Sequence, residues 1–417
     1  MAILAMSGAE SGSPWGEPAV TATATGASVI AGAARSGSYG FRVYAKDIAE
    51  TTITLKFTSS GLDRNYWGRA ATKVVDGPLA GKTDHVWSLG QASGLGGVRR
   101  AEFRIDTSLN LGLYAYDAST HTLIGSTTPV SLGTWYVLEI RVKPTSGADE
   151  IEGWVNGIQL ASGSASFMTA APVALVMGCE MDSRSADVEP DYHFDDLAVN
   201  DDTGADPNTN RRLGDGTVTL LKPVSDNARG ANWFAGAGGT TNLYAAVDNT
   251  PPVGKAVATP PTDITQIYNS SAYAGTAADL YDANMDDYTN AGVPAGETIR
   301  AVQGHADTAE ADASAHETLA LKLVSNPAGS EVTMNWTEYA TNMGVFPDGW
   351  KGQLQFTGIE QSPSVTRGTD PVFRIGKRSG AAGTRDDCDF MGINVESGNT
   401  PPVSLVVPRR PQAILGM

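Results

Sequence analysis

Five histidines are the residues of this chain best suited to acid–base or metal chemistry, and their spacing does not bring them together. They are His85, His121, His193, His305 and His316. No two of them are spaced as HxH or HxxxH, the patterns that let two rings bind one metal ion. The sequence also lacks the GxSxG, SxxK and phosphate-loop motifs. We therefore expect the protein not to be an enzyme.

Paired carboxylates are the next candidates, because a retaining glycosidase needs two carboxyl groups about 5–5.5 Å apart. Glu139 lies in the amphipathic run WYVLEIRV, where Arg141 follows two positions later and no second carboxylate shares its face. Asp195 and Asp196 are adjacent, so on a strand their side chains are predicted to point to opposite faces. The residues do not favour glycoside hydrolysis, which is kept only as an alternative.

Calcium is the one cofactor that the sequence suggests, since hard cations prefer clustered oxygen ligands. The candidate ligands are Asp195, Asp196, Asp201 and Asp202. A second acidic run begins at Asp282 and has the spacing that starts an EF-hand loop, but it carries Asp287 and Val293 where that loop needs glycine and glutamate. Solvated acidic turns are the competing interpretation, so no metal site is assigned.

One aromatic segment is predicted to be exposed. Tyr66, Trp67 and Arg69 lie in the polar, turn-like stretch DRNYWGR. Trp, Tyr and Arg are enriched at protein interfaces, and an exposed aromatic ring also stacks on sugars. We expect a subunit contact here, with glycan binding as the alternative.

The elements that must position these residues are predicted to be strands. Alternating apolar residues in segments such as 38–45, 101–105 and 135–142 indicate half-buried strands, and Asn156-Gly157 indicates a tight hairpin. The 47 glycines and 22 prolines fit many turns. We predict an all-β protein of two tandem antiparallel β-sandwiches, divided near the polar run 201–210. The predicted division is an N-terminal arm at 1–14, a first sandwich at 15–205, a second at 206–400 and an extended C-terminal arm at 401–417.

Charge narrows the range of partners. The formal charge is −17 at pH 7, from 29 Lys and Arg against 46 Asp and Glu. Nucleic-acid binding needs a basic surface, so we expect no nucleic-acid partner. No apolar run reaches the roughly 20 residues that cross a bilayer, and we expect no membrane insertion.

Two stretches resemble known families. The run 101–160, with its GTWYVLEIRV and WVNG segments, and the later YHFDDLAVND at 192–201 resemble concanavalin-like (laminin-G-like) jelly rolls. The order of LGDGTVTLLKP at 213–223, Asn232-Trp233 and VDNTPP at 247–252 is similar to a module of tailed-bacteriophage virion proteins. The first resemblance implies a concanavalin-like first sandwich, and the second implies a virion component.

The function implied by this resemblance is a non-enzymatic structural protein of a tailed-phage virion, such as a minor tail, tail-tip or appendage protein. Its expected partners are other virion proteins and further copies of itself, in a homo-oligomer assembled in the host cytoplasm. Two alternatives remain open. One is a capsid decoration protein, and the other is an adhesin that binds host surface glycan.

Overall fold

The computed structural model describes most of the chain. The described residues are 3–10, 20–23, 26–44, 51–78, 81–92, 95–179, 190–204, 212–235, 242–247, 267–269, 271, 274, 276–310, 319–325, 352–356, 359–361, 363, 365–377 and 386–399. Within them the secondary structure is β-strand with a few short 3₁₀ turns, which confirms the all-β prediction. None of the helical turns there is long and apolar enough to span a membrane.

The first half of the chain forms two facing sheets. Its strands are β1 (Ile3–Ser7), β2 (Val20–Thr23), β3 (Ala27–Ile30), β4 (Gly40–Tyr44), β5 (Thr51–Lys56), β6 (Tyr66–Asp76), β7 (Thr83–Gly90), β8 (Arg100–Asp106), β9 (Asn110–Tyr116), β10 (His121–Pro129), β11 (Trp135–Lys143), β12 (Asp149–Val155), β13 (Ile158–Ala165), β14 (Ala174–Cys179) and β15 (Asp191–Asp201). Sheet A has the order β13-β12-β11-β6-β15-β4-β3, with β1 on β15, and sheet B has the order β10-β9-β8-β7-β14-β5-β2. The segment predicted as an N-terminal arm thus supplies a strand of sheet A at residues 3–7, while 11–14 lie outside the described residues.

The core of this first sandwich follows from the alternation of its strands. In β8, Ala101, Phe103 and Ile105 are buried between the sheets, and the polar residues between them face the other side of sheet B. The predicted hairpin at Asn156-Gly157 is confirmed: both residues have positive φ, 49° and 79°, as a type I′ turn requires.

The second half of the chain also consists of antiparallel sheets, and these enclose a separate hydrophobic core. Its strands are β16 (Gly216–Leu221), β17 (Pro223–Arg229), β18 (Trp233–Ala235), β19 (Ile267–Asn269), β20 (Leu280–Met285), β21 (Thr298–Glu310), β22 (Leu319–Ser325), β23 (Gly352–Phe356), β24 (Glu360–Gln361), β25 (Val372–Lys377) and β26 (Asp386–Gly398). Sheet C has the order β18-β19-β26-β21-β23, with β16 on β26 and β24 on β21, and sheet D has the order β17-β20-β25-β22. The predicted C-terminal arm, 401–417, lies outside the described residues.

The two halves meet where sheet C covers one end of the outer face of sheet A. A small apolar cluster joins residues of both halves, among them Met6, Ala198, Val218 and Ala301. Beside it Arg69 of β6 donates from Nη1 to Glu396 Oε1 of β26 over 2.7 Å, and both side chains are fully buried. Arg300 of β21 binds the same carboxylate at 2.7 and 2.6 Å. A buried charge network therefore joins the two halves.

Candidate functional site

The predicted aromatic contact is not exposed. Tyr66 and Arg69 are fully buried and Trp67 is 9% exposed, because the turn-like segment runs directly into β6 at the centre of sheet A. Tyr66 donates its hydroxyl to Gly61 O over 2.7 Å, inside the first sandwich. Arg69 does lie at an interface, but its partner is Glu396 of the same chain.

The predicted calcium ligands bind protein groups. Asp195 and Asp196 do not point to opposite faces: a β-bulge follows Asp195, and Asp196 has φ 52°, so both carboxylates turn toward Arg35 and Ser36. Asp196 also accepts the N–H of Val218 over 2.8 Å, which ties β15 to the second half. Burial and the neighbouring charge of Asp196 raise the pKa of Asp195 well above its usual value.

The other two candidate ligands anchor loops. Asp201 accepts the Ser60 hydroxyl over 2.6 Å, and Asp202 accepts the Asn65 side chain over 2.7 Å. Within the described residues no three His, Cys, Asp or Glu side chains are grouped as a metal site would need. Calcium binding stays a prediction.

A different cluster lies on the outer face of sheet B, where the sequence pattern predicts nothing. We call it the Glu102 cluster. Glu102 Oε1 is 2.5 Å from His121 Nδ1, and Oε2 accepts from Arg100 Nε over 2.6 Å. Arg104 Nη1 and His85 Nε2 lie 3.4 and 4.0 Å from the same carboxylate. The cluster comprises His85, Arg100, Glu102, Arg104, Tyr114, Tyr116 and His121.

Strand register brings these residues together. Alternate positions of β8 place Arg100, Glu102 and Arg104 on one face. Across the sheet, Glu102 is opposite Tyr114, Arg100 is opposite Tyr116, and Tyr116 is opposite His121. The four neighbouring strands β7 to β10 therefore place these polar side chains next to one another on one face of sheet B.

The cluster is layered from buried to exposed. Glu102 is fully buried, and Arg100 and Arg104 are 1% and 4% exposed. The His121 side chain is 31% exposed, and Tyr114 and Tyr116 are half-buried beside it. A ligand from solvent thus meets His121 and the two tyrosines first, above a buried carboxylate with two guanidinium groups.

Glu102 is a permanent anion. Burial by itself raises the pKa of a carboxyl group, but the hydrogen bond from His121 and the charges of Arg100, His85 and Arg104 lower the pKa of Glu102 to about 2. Because Glu102 is ionised at neutral pH, His121 Nδ1 must carry the proton that the carboxylate accepts. The tautomer that remains has its lone pair on Nε2, so neutral His121 can act as a base there.

Tyr114, unlike His121, can serve as a proton donor. Burial, together with the nearby carboxylates Asp106 and Glu102, raises the pKa of Tyr114 against the opposing charge of Arg104. Its hydroxyl keeps its proton at neutral pH and can donate it. The site therefore holds an acceptor and a donor of protons on neighbouring strands.

Tyr116 fixes the histidine ring. It stacks on His121 with ring centroids 4.3 Å apart and planes 16° from parallel. The Arg100 guanidinium carbon lies 4.2 Å from the centroid of the same tyrosine ring. The imidazole thus has one contact that sets its plane and one, to Glu102, that sets its tautomer.

Comparison with known proteins gives matches among solved structures only. No family model and no curated protein matches the chain. Solved structures do: alginate lyase vAL-1 from Chlorella virus is 9% identical, over 43% of this chain and 91% of that one, with a TM-score of 0.35. The glycoside hydrolase family 131 catalytic domain from Coprinopsis cinerea is 15% identical, over 45% and 80%, with a TM-score of 0.30. The carbohydrate-binding module CBM66 from Bacillus subtilis is 9% identical, over 44% and 95%, with a TM-score of 0.29.

These findings confirm one prediction and overturn another. The neighbours are jelly-roll sandwiches of the concanavalin-like kind, as predicted for the first half. They include lyases and hydrolases, so the prediction that the chain is not an enzyme is wrong: the fold is one that carries catalysis. The prediction considered only histidines close in sequence, whereas His121 contacts Glu102 from a strand two places away in the sheet. Nothing in the similarities points to a tailed phage.

Proposed function

We propose that the outer face of sheet B binds an acidic polysaccharide and cleaves it by β-elimination. The observation that carries the proposal is the Glu102–His121 pair, 2.5 Å apart, with a protonated Tyr114 on the strand between them. The neighbours named as alginate lyases and carbohydrate-binding modules are compatible with a glycan ligand.

The chemistry needs a base, an acid and a counter-charge. His121 Nε2 takes the proton from C5 of a uronate residue, and the electron pair of that C–H bond forms the C4=C5 double bond. The C4–O4 bond breaks, and Tyr114 donates its proton to the leaving oxygen. No water or cofactor is consumed.

Arg104 supplies the counter-charge. Its Nη1 lies 3.3 and 3.4 Å from the two ring nitrogens of His121, so the guanidinium is beside the reacting position. Because Arg104 is 4% exposed, its charge acts on a substrate carboxylate from below the His121 ring, which makes the neighbouring C5 proton more acidic. Glu102 stays a positioning residue, because a carboxyl with a pKa of about 2 does not exchange protons at neutral pH.

The test is direct. The purified protein is incubated with polyuronates and with a neutral glucan, and the ultraviolet absorbance of the C4=C5 product is followed. We expect product from a polyuronate only, and about a 100-fold or greater loss of rate in His121→Ala and Tyr114→Phe. Tyr39→Phe, remote from the cluster, is the matched control. Absence of unsaturated product from every polyuronate tested would refute the cleavage.

Glycan binding without cleavage is the second candidate. The exposed edge of the site carries Tyr114, Tyr116 and Leu123, which is 42% exposed, and such apolar faces stack on sugar rings. Binding of a polyuronate by calorimetry, without any product, would select this function.

A virion location is proposed on sequence resemblance alone. The support is the order of segments between residues 192 and 252. Mass spectrometry of purified virions tests it: the chain should be found in particles at a constant copy number, in homo-oligomers, with other virion proteins as partners. Its absence from intact particles would refute the location.

A further inference from the structure

The outer face of sheet A has two ends with different surroundings. The end that carries Arg69 and Ala198 is covered by the second half of the chain. The other end lies at the opposite termini of the same strands and carries Lys73, His193 and Arg42. Lys73 and Arg42 are half-buried rather than covered, and Val75 on the same face is 38% exposed.

At this end one row of side chains crosses four strands in register. Trp135 of β11 is opposite Lys73 of β6, which is opposite His193 of β15, which is opposite Arg42 of β4. Three strand spacings of about 4.8 Å make the row about 14 Å long. Tyr44, two residues from Arg42, lies on the same face.

The cations in the row are held by aromatic rings. Lys73 Nζ lies 4.9 Å from the centroid of the Trp135 ring, and the Arg42 guanidinium carbon lies 4.6 Å from that of Tyr44. Asp191 also accepts from Arg42 in three contacts, from Nε over 3.0 and 3.1 Å and from Nη2 over 2.7 Å. Lys73 makes no ion pair with any carboxylate in the described part of the chain. Its Nζ donates to Gly32 O over 3.3 Å, so its charge is not neutralised.

His193 lies in the middle of the row, and its ring is mostly buried between Lys73 and Arg42. The residue is 8% exposed, and its Nδ1 is buried and has no hydrogen-bond partner among the described residues. Burial, with the charges of Lys73 and Arg42, lowers the pKa of His193 to about 4, although the charge of Asp191 opposes this. The ring is therefore neutral at neutral pH.

We propose that this row, Trp135–Lys73–His193–Arg42 with Tyr44, is a second binding surface for an acidic polysaccharide. The proposal takes its ligand class from the function proposed above, but uses none of the residues of the Glu102 cluster. The half-buried Trp135 and Tyr44 rings can pack against sugar rings, and the Lys73 charge, which no carboxylate neutralises, attracts the carboxylate of a uronate. On a chain of formal charge −17, a cation that no carboxylate of the described residues neutralises gives this surface its complementarity to an anionic ligand.

Because the outer faces of sheets A and B point away from each other, one molecule would hold two stretches of polymer. Two linked weak sites bind a polymer more tightly than either does alone. The expected result is retention on long chains that short oligosaccharides do not reproduce.

The experiment measures binding without cleavage. His121→Ala is the background, and retardation in native gels containing polyuronate is compared with that of His121→Ala/Trp135→Ala and His121→Ala/Lys73→Gln. We expect at least about tenfold weaker binding of polymer in each double variant. Ile158→Ala, which removes an apolar side chain that is 76% exposed elsewhere, is the matched control and should bind like the background. Thermal unfolding checks that each variant is folded.

The outcomes separate this proposal from the cleavage reaction. Equal binding by the double variants and the background overturns the second surface, even if the wild type produces unsaturated sugar. Loss of binding in the double variants supports it, even if the wild type produces none. Equal retardation in a neutral glucan gel overturns the acidic ligand class. A change of oligomeric state in Trp135→Ala by sedimentation shows instead that a second copy occupies the row.

Discussion

Glu396→Gln is the perturbation with the largest expected effect on stability. The Glu396 carboxylate accepts from Arg69 at 2.7 Å and from Arg300 at 2.7 and 2.6 Å, and it is completely buried. A glutamine has nearly the same shape but no charge. The substitution leaves two guanidinium groups, at 0% and 1% exposure, without their shared counter-charge.

The magnitude follows from this burial. Removing one partner of a buried ion pair costs about 3–5 kcal/mol, because the charge that remains is still desolvated. Burial already lowers the pKa of Arg300, and Glu396 opposes that shift. We therefore expect the free energy of unfolding to fall by about 3–5 kcal/mol at neutral pH.

The assay is urea unfolding followed by tryptophan fluorescence. The control is Glu150→Gln: Glu150 pairs with Arg141, but its side chain is 46% exposed, so the loss should be at most about 1 kcal/mol. If Glu396→Gln does not fold, the triple variant Arg69→Met/Arg300→Met/Glu396→Met should, because it removes the two cations together with their shared carboxylate. A loss equal to that of the control would refute the reasoning, and so would a triple variant less stable than Glu396→Gln.

Three further predictions concern titration and thiols. The folded-state pKa of Glu102 is lowered from 4.5 to about 2. Ionised Glu102 therefore adds about 3 kcal/mol to the free energy of unfolding above pH 4.5, and this stabilisation is lost as the pH falls toward 2. In Glu102→Gln, the free energy of unfolding should not fall by this amount over that pH range. The pKa of Asp195 is raised, so its stabilisation is present below its unfolded pKa and lost as the pH rises through the folded value. Asp195→Asn should therefore flatten the stability–pH curve between the unfolded and the folded pKa of Asp195, and an unchanged curve would contradict the assignment. Cys179 and Cys388 are both fully buried, so an aromatic disulfide reagent should label neither in native protein and both in urea; rapid native labelling would contradict their burial.

The fold was predictable because it depends on local patterns. Alternation in segments such as 101–105 and the Asn156-Gly157 turn require only the side-chain period of a strand and the φ preference of glycine. These signals lie within a few residues of one another, so no knowledge of strand pairing is needed.

The candidate site could not be predicted in that way, because the register between strands determines which side chains lie next to one another. The alternation of Arg100, Glu102 and Arg104 was visible in the sequence, but their link to His121 depends on which strands pair and in what register. The prediction that Trp67 is exposed was wrong for a related reason. Its polar neighbours Asp63 and Asn65 precede the strand, whereas Trp67 itself lies in β6. The bulge at Asp196 reverses the direction that strict alternation gives it.

The separation of Arg69 and Glu396 along the chain has a consequence for biosynthesis. The two residues are 327 positions apart, so the ribosome completes the first sandwich long before the partner of Arg69 exists. Until β26 leaves the ribosome, the Arg69 guanidinium has no carboxylate from the second half and must be hydrated. The apolar residues near it, such as Met6 and Ala198, are then exposed to solvent. Nascent chains released before residue 396 should therefore depend on chaperones and aggregate more readily than the full chain.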